Sequence, residues 1–320
     1  MATSAMLRHT ALASSTGTAV PSSRSLAAPA ASQRLALRST HLGNAKVFSA
    51  PAQVLSRSSL RLAATQVVAI KDPSSQDNLK RAVAKKAVEL VKSGMVVGLG
   101  TGSTSSMAIE ELGNLIKANK LKDIVGVATS YQSKVLARQF GVKTVDLNDV
   151  NHIDIAFDGA DEVDAGMNLI KGGGAAHTME KVVDSIAKEC VILIDETKVV
   201  KSLGLSFPLP VEVLPFALAP VLRALAALGG QPEIRTALRK DGPVITDLGN
   251  MVVDVRFPEG VTDPAALETK INMIPGVIEN GLFINVANKV LVGTKDGEET
   301  SVVEFAEFVA SMKSSEEVSA

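Results

Sequence analysis

Tryptophan is absent from the 320 residues, tyrosine occurs once, and there is a single cysteine. One cysteine excludes an internal disulfide, and Cys190 sits in the apolar run CVILI, where it reads as a small buried hydrophobe. No apolar run reaches the roughly 18 residues a membrane-spanning helix needs. Residues 1–70 lack acidic side chains altogether, Asp72 being the first, but contain seven basic ones among many Ala and Ser. That composition predicts an organellar transit peptide, disordered before import and cleaved between Arg61 and Asp72. With those seven set aside, residues 71–320 hold 26 basic against 34 acidic side chains. An acidic body almost without stacking aromatics argues against a nucleic-acid partner, and nothing in it calls for a membrane.

From KDPSSQD (71–77) onward, short apolar strands alternate with helical periodicity. MVVGLGTGST (95–104) reads as strand, glycine loop and helix start, and further strands are expected at 124–128, 142–147, 153–157 and 191–194. Helices are expected near 79–91, 104–116, 131–140 and 175–188. The alternation predicts an α/β fold with a mostly parallel sheet covered by helices on both faces. At FPLPVEVLP (207–215) prolines break the rhythm. Strands at 211–215, 233–238, 251–257 and 276–285, with helices at 216–228 and 264–273, predict a smaller α+β domain of ferredoxin-like kind. KVLVGT (289–294) reads as a strand rejoining the first sheet, followed by a short helical pattern and a charged end. The expected organisation is thus 1–70 as targeting segment, 71–206 with 286–320 as catalytic α/β domain, and 207–285 as the small domain.

Three loops carry chemistry. GLGTGST (98–104) joins a strand to a helix start, where glycines permit close approach and free amides attract anions. The dinucleotide pattern fails at Ser103 and no Gly-Lys-Ser/Thr follows, so a phosphate on a small molecule fits better than NAD or ATP. A plain strand–helix turn remains open by position alone. DGADE (158–162) places Asp158 and Asp161 at a strand end, where paired carboxylates suit proton transfer, bind Mg²⁺ or cap a turn. His152 and His177, the histidines outside the leader, are not at ligand spacing. KGGGAAHTMEK (171–181) puts Lys171 beside amides that could stabilise an oxyanion, with Glu180 in the following helix. By position alone Glu180 is an ordinary exposed glutamate, His177 a packed or solvent-facing ring, Lys80 a solvated lysine, and Lys198 in DETK unremarkable.

Taken together, GLGTGST, DGADE, IKGGGAA with Glu180, DETK, FPLPVEV and IPGVIENGLF resemble ribose-5-phosphate isomerases of the A type, over roughly residues 76–305. The resemblance implies interconversion of ribose 5-phosphate and ribulose 5-phosphate through an enediolate, with no cofactor and no metal. It implies Glu180 as general base, Asp158 with Asp161 for ring opening and hydroxyl proton transfer, and Lys171 with the Gly172, Gly173 and Gly174 amides for enediolate charge. Substrate contacts are implied at Lys80, Thr101, Gly102, Ser103, Thr104, Asp158, Gly159, Ala160, Asp161, Lys171, Gly172, Gly173, Gly174 and Lys198. It further implies a homodimer or homotetramer. With such an activity the leader points to the chloroplast stroma before the mitochondrion, and to the pentose phosphate and Calvin cycles. Rival readings are a sugar-phosphate deaminase, a coenzyme A transferase with a glutamate nucleophile, which would form a covalent thioester, and a non-catalytic sugar-phosphate sensor, which would need an attached DNA-binding motif.

Overall fold

A computed structural model describes residues 73–297 and 299–319; the expected transit peptide and its cleavage window lie outside the described residues. The chain runs α1 (Pro73–Val88), β1 (Val96–Leu99), α2 (Ser103–Lys117), β2 (Val125–Ala128), α3 (Tyr131–Phe140), β3 (Lys143–Val145), β4 (Ile155–Asp158), β5 (Glu162–Val163), β6 (Leu169–Ile170), α4 (His177–Ile186) and β7 (Cys190–Asp195). It continues with β8 (Leu209–Val213), α5 (Leu218–Ala227), β9 (Gln231–Ile234), β10 (Met251–Arg256), α6 (Pro264–Asn272), β11 (Val277–Asn280), β12 (Leu282–Phe283), β13 (Lys289–Asp296), β14 (Glu299–Glu304) and α7 (Phe305–Ser319).

Seven strands form one sheet in the order β14-β13-β7-β4-β1-β2-β3. Every neighbouring pair is parallel except the β13–β14 edge hairpin. Side chains alternate between two cores, as the two-residue period of a strand requires. Val97, Leu99, Ile155, Phe157, Val191 and Leu193 face α1, α2 and α3 through Val83, Ala87, Ile109, Leu112 and Ala137. On the other face Ala156 and Val127 meet Val183 of α4, and Ile192, Ile194 and Val292 meet Phe305 of α7. Burial on both faces explains why these strands read as continuous apolar runs. The winding goes outward from β1 through β2 to β3, then restarts at β4 on the other side of β1. The carboxyl ends of β1 and β4 therefore open a crevice at the switch point, where such sheets bind ligands.

A four-stranded antiparallel sheet, β11-β8-β10-β9, packs against α5 and α6 through Val211, Val253, Val255, Val221, Leu225 and Ile271. Counted along this segment the strand order is fourth, first, third, second, the ferredoxin-like arrangement. The expected strand 276–285 is in fact two. It breaks at Gly281, where a Cβ would sit 2.3 Å from the Lys171 carbonyl oxygen; β11 stays in the small sheet and β12 pairs with β6 in a separate three-stranded sheet. The strand expected at 233–238 lies earlier, on the sheet edge at β9, where Pro232 is tolerated. β14 was not anticipated, because half its residues face solvent and its charge masks the pattern.

Candidate active site

Gly100 ends β1 with its amide on the Phe157 carbonyl (2.9 Å). A Cβ there would lie 2.3 Å from Asp158 Oδ1, so only glycine lets the β1 loop pass this close to the end of β4. Asp158 Oδ1 then accepts from the Thr101 amide (3.0 Å), the Ser105 hydroxyl (3.1 Å) and its neighbouring Gly159 amide (2.8 Å). The Thr101 hydroxyl is turned inward to Thr129 and Ser130 (2.8 and 2.7 Å). Thr101 thus holds Asp158 and the end of β2 while lining the crevice. The next residues open α2, whose N-cap Gly102 offers no side chain to its first amides. A helix end left uncapped beside the Ser103 and Thr104 hydroxyls is a ready anion site.

Lys171 follows β6, and its ammonium is buried at the floor of the crevice. It donates to the Gly159 carbonyl (2.6 Å) and lies 2.9 Å from Asp158 Oδ2 and 3.3 Å from Glu180 Oε2. The well-directed bond goes to Gly159, so the two carboxylate oxygens are ion-paired but receive no hydrogen bond of good geometry among the described residues. Glu180 is in the first turn of α4 and only 4% exposed, not the solvent-facing glutamate its position alone suggested. The helix begins just after the glycine run and carries this residue inward. Burial, then the Asp158 charge, push the Glu180 carboxyl up to about 8 against the pull of Lys171. Burial works against the Lys171 charge, but Asp158, Glu180 and Asp184 around it more than offset this and raise its pKa.

Asp161 sits across the crevice and accepts from the Gly173 amide (2.8 Å). Lys80 on α1 and Lys198, in the turn after β7, complete the wall with Gly102, Ser103, Thr104, Gly159, Ala160, Gly172, Gly173 and Gly174. The cleft they enclose is about 180 Å³. A larger hollow of about 550 Å³ against α3 and α4 holds none of these residues. His177 is fully buried; burial, then Lys181 and Arg235, hold its ring neutral down to about 3. Neither ring nitrogen meets a partner at hydrogen-bond geometry among the described residues, the Glu279 backbone being a poorly placed one.

The structure adds residues that local pattern did not reveal. Gln76 precedes Lys80 by one helical turn on α1 and donates to Asp195 Oδ2 (3.1 Å), and both line the cleft. Burial opposes the Asp195 charge, but donors from Thr197 and Gln76 outweigh it and keep the carboxyl below its usual range. The i, i+4 spacing of Gln76 and Lys80 was the one available signal. Asp184, one turn after Glu180, is also buried, and burial with the Asp158 charge raises its carboxyl well above the usual range. Arg235, after β9, reaches the glycine run from the small sheet.

The family model for ribose 5-phosphate isomerase A (phosphoriboisomerase A) matches residues 125–297. Ribose-5-phosphate isomerase A of Thermosynechococcus vestitus is 60% identical over 215 residues, 67% of this chain and 91% of the relative. The chain belongs to the ribose 5-phosphate isomerase A family. The family member of the same name from Trichodesmium erythraeum is 53% identical over 230 residues, 72% of this chain and 96% of the relative. Among solved members, ribose 5-phosphate isomerase A from Methanocaldococcus jannaschii is 50% identical, covers 72% of this chain and 100% of its own, and superposes with a TM-score of 0.67. A D-ribose-5-phosphate isomerase in complex with phospho-erythronic acid is 45% identical, covers 71% of this chain and 98% of its own, with a TM-score of 0.68.

Proposed function

We propose that this chain interconverts ribose 5-phosphate and ribulose 5-phosphate through an enediolate, with Glu180 as the base and no metal. The observation that carries the mechanism is the Lys171 ammonium buried between Asp158 and Glu180, below an open helix end. The phosphate lies on the α2 amides and the Ser103 and Thr104 hydroxyls, with Lys80 and Lys198 as countercharges. Asp158 takes the O1 proton of the furanose and returns one to the ring oxygen, opening the sugar to the aldehyde. The Glu180 carboxylate removes the C2 proton, and the electron pair forms the C1–C2 double bond. The charge on O1 rests against Lys171 and the glycine-loop amides. Glu180 then delivers its proton to C1 while O1 gains a proton and O2 loses one, leaving the ketone at C2. A base poised near 8 stands close to working pH, which favours transfer in both directions.

The ammonium lies between the two carboxylates, which supports a reaction without a divalent cation. The same purified protein given ribose 5-phosphate in EDTA should form ribulose 5-phosphate. Lack of product would sink the activity, and activity abolished by EDTA alone would sink the metal-free reading. A chloroplast destination is supported by the acid-free leader together with cyanobacterial relatives. A homodimer or homotetramer is the assembly the family resemblance supports, and light scattering on the processed protein would test it.

A further inference from the structure

Three consecutive glycines are the most costly stretch of backbone to hold still. Gly173 and Gly174 are exposed, yet this loop must keep its amides aimed at the reacting sugar. Its hold from outside is visible. Arg235 directs Nη1 at two successive carbonyls, Gly172 (2.9 Å) and Gly173 (3.1 Å). Its other edge is fixed by Asp254 of β10, with Nε to Oδ2 at 2.8 Å and Nη2 to Oδ1 at 2.5 Å. The pair is mostly buried, at 15% and 23% side-chain exposure. A guanidinium chelated in this way has one plane and one remaining direction.

A trans peptide is planar, so its carbonyl and amide point in opposite directions. Holding the Gly172 and Gly173 carbonyls toward Arg235 therefore turns the Gly173 and Gly174 amides the other way. The Gly173 amide does point away, onto Asp161 Oδ2 (2.8 Å). The 172–173 peptide is thus held at both ends, by Arg235 behind and Asp161 in front. The 173–174 peptide has Arg235 at its carbonyl, which leaves its amide facing forward.

We propose that Arg235, oriented by Asp254, is a positioning residue for the isomerisation: from the small sheet it fixes the glycine-loop amides and, through them, Asp161. Arg235 acts only through the loop. The inference rests on the loop role given under Proposed function. It assigns the small sheet a part in the reaction, that of presenting one guanidinium to the back of the catalytic loop.

The test is steady-state kinetics on Arg235→Ala, Arg235→Lys and Asp254→Asn, with circular dichroism to confirm folding. Lost positioning should lower kcat of Arg235→Ala by about 10- to 100-fold, less than removal of a donor itself. KM for ribose 5-phosphate should stay within about threefold, because the residues holding the phosphate are not touched by Arg235. Guanidinium chloride at tens of millimolar should restore several-fold of the lost kcat, and potassium chloride at equal ionic strength should not. Arg235→Lys should fall between wild type and Ala, one ammonium being unable to satisfy both carbonyls and Asp254. If Arg235→Ala does not fold, Asp254→Asn carries the test: it frees the guanidinium, so kcat should fall several-fold at constant KM. A folded Arg235→Ala or Asp254→Asn enzyme with wild-type kcat would overturn the inference. So would a kcat loss that neither guanidinium nor Lys relieves, since a merely structural arginine behaves that way. Lys171→Met separates the two levels. Full turnover there removes the loop reading itself, whereas turnover lost there but intact in folded Arg235→Ala removes only the role of Arg235.

Discussion

Replacing Glu180 by Gln tests both the chemistry and the energetics of the site. The amide keeps the shape of the side chain but cannot take the C2 proton, so kcat should fall by about 10²–10⁴, the range for a general base. KM should move little, because the amide still packs where the carboxyl did. Stability should respond in a way that an exposed helix glutamate would not. The Glu180 carboxyl rises from 4.5 to about 8 on folding. The folded state therefore binds this proton more tightly than the unfolded state, and stability falls as pH climbs from about 4.5 to 8. At roughly 1.4 kcal/mol per pH unit this penalty is about 3 kcal/mol at pH 7 and below about 1 kcal/mol at pH 5. Gln at 180 removes it. The variant should gain about 2–3 kcal/mol relative to wild type between pH 5 and pH 7, read from urea unfolding at the two values. Ribulose 5-phosphate formation under the same buffers gives kcat. A folded variant with near wild-type turnover would refute Glu180 as base, and parallel stability profiles would refute the burial argument.

Replacing Ser103 and Thr104 together by Ala should raise KM for ribose 5-phosphate more than it lowers kcat, and an unchanged KM would put the phosphate elsewhere. The kcat/KM of the wild-type enzyme should climb with pH to a midpoint near 8 as Glu180 loses its proton, and a flat profile between pH 6 and 9 would contradict the raised carboxyl. His177 stays neutral across that range and has no well-placed polar partner among the described residues, so His177→Leu should keep most activity and stability; a folded variant losing more than about tenfold in kcat would make the ring part of the site. Glu162 is buried and accepts from the Gly204, Ser206 and Phe207 amides, so Glu162→Ala should cost at least about 2–3 kcal/mol in urea unfolding, and a loss below about 1 kcal/mol would mean those amides find other partners.

The parts of the site legible in the sequence are those coded over a few residues. Gly-rich turns at strand ends, the Asp158 and Asp161 pair and the Lys171 glycine run are local signals; the parallel sheet sets the β1 loop beside the end of β4, and β6 of the separate three-stranded sheet brings Lys171 to them. Burial of Glu180 is not local. It depends on α4 packing Val183 against Ala156 while its other turns face β8 and β11, through Thr178 on Glu212 and Lys181 on Glu279. Arg235 is less legible still. Its contact spans more than sixty residues, joins two sheets, and sits in EIRTAL, which carries no motif. The strand division at Gly281 was hidden for the same reason, since the steric demand comes from Lys171 on another element.

The two principal acids flank the same lysine, and the different work proposed for them matches their different surroundings. Asp158 has one oxygen held by two amides and a hydroxyl, donors that fix its angle. Such a group presents one fixed edge, which suits the hydroxyl proton transfers proposed for it. Glu180 receives its opposing charge from Lys171 alone and is pushed upward by burial and by Asp158. A carboxyl raised in this way is a stronger base than an ordinary glutamate, which suits the carbon proton transfer proposed for it. Asp184, one turn further along α4, is raised for the same reasons and belongs to the same buried group of acids around the lysine. In the proposed mechanism the lysine is thus the fixed positive charge, Asp158 the hydroxyl partner, and Glu180 the mobile member. The asymmetry comes from backbone: β4 delivers Asp158 into the amides of two strand-end loops, while α4 delivers Glu180 into a wall of side chains.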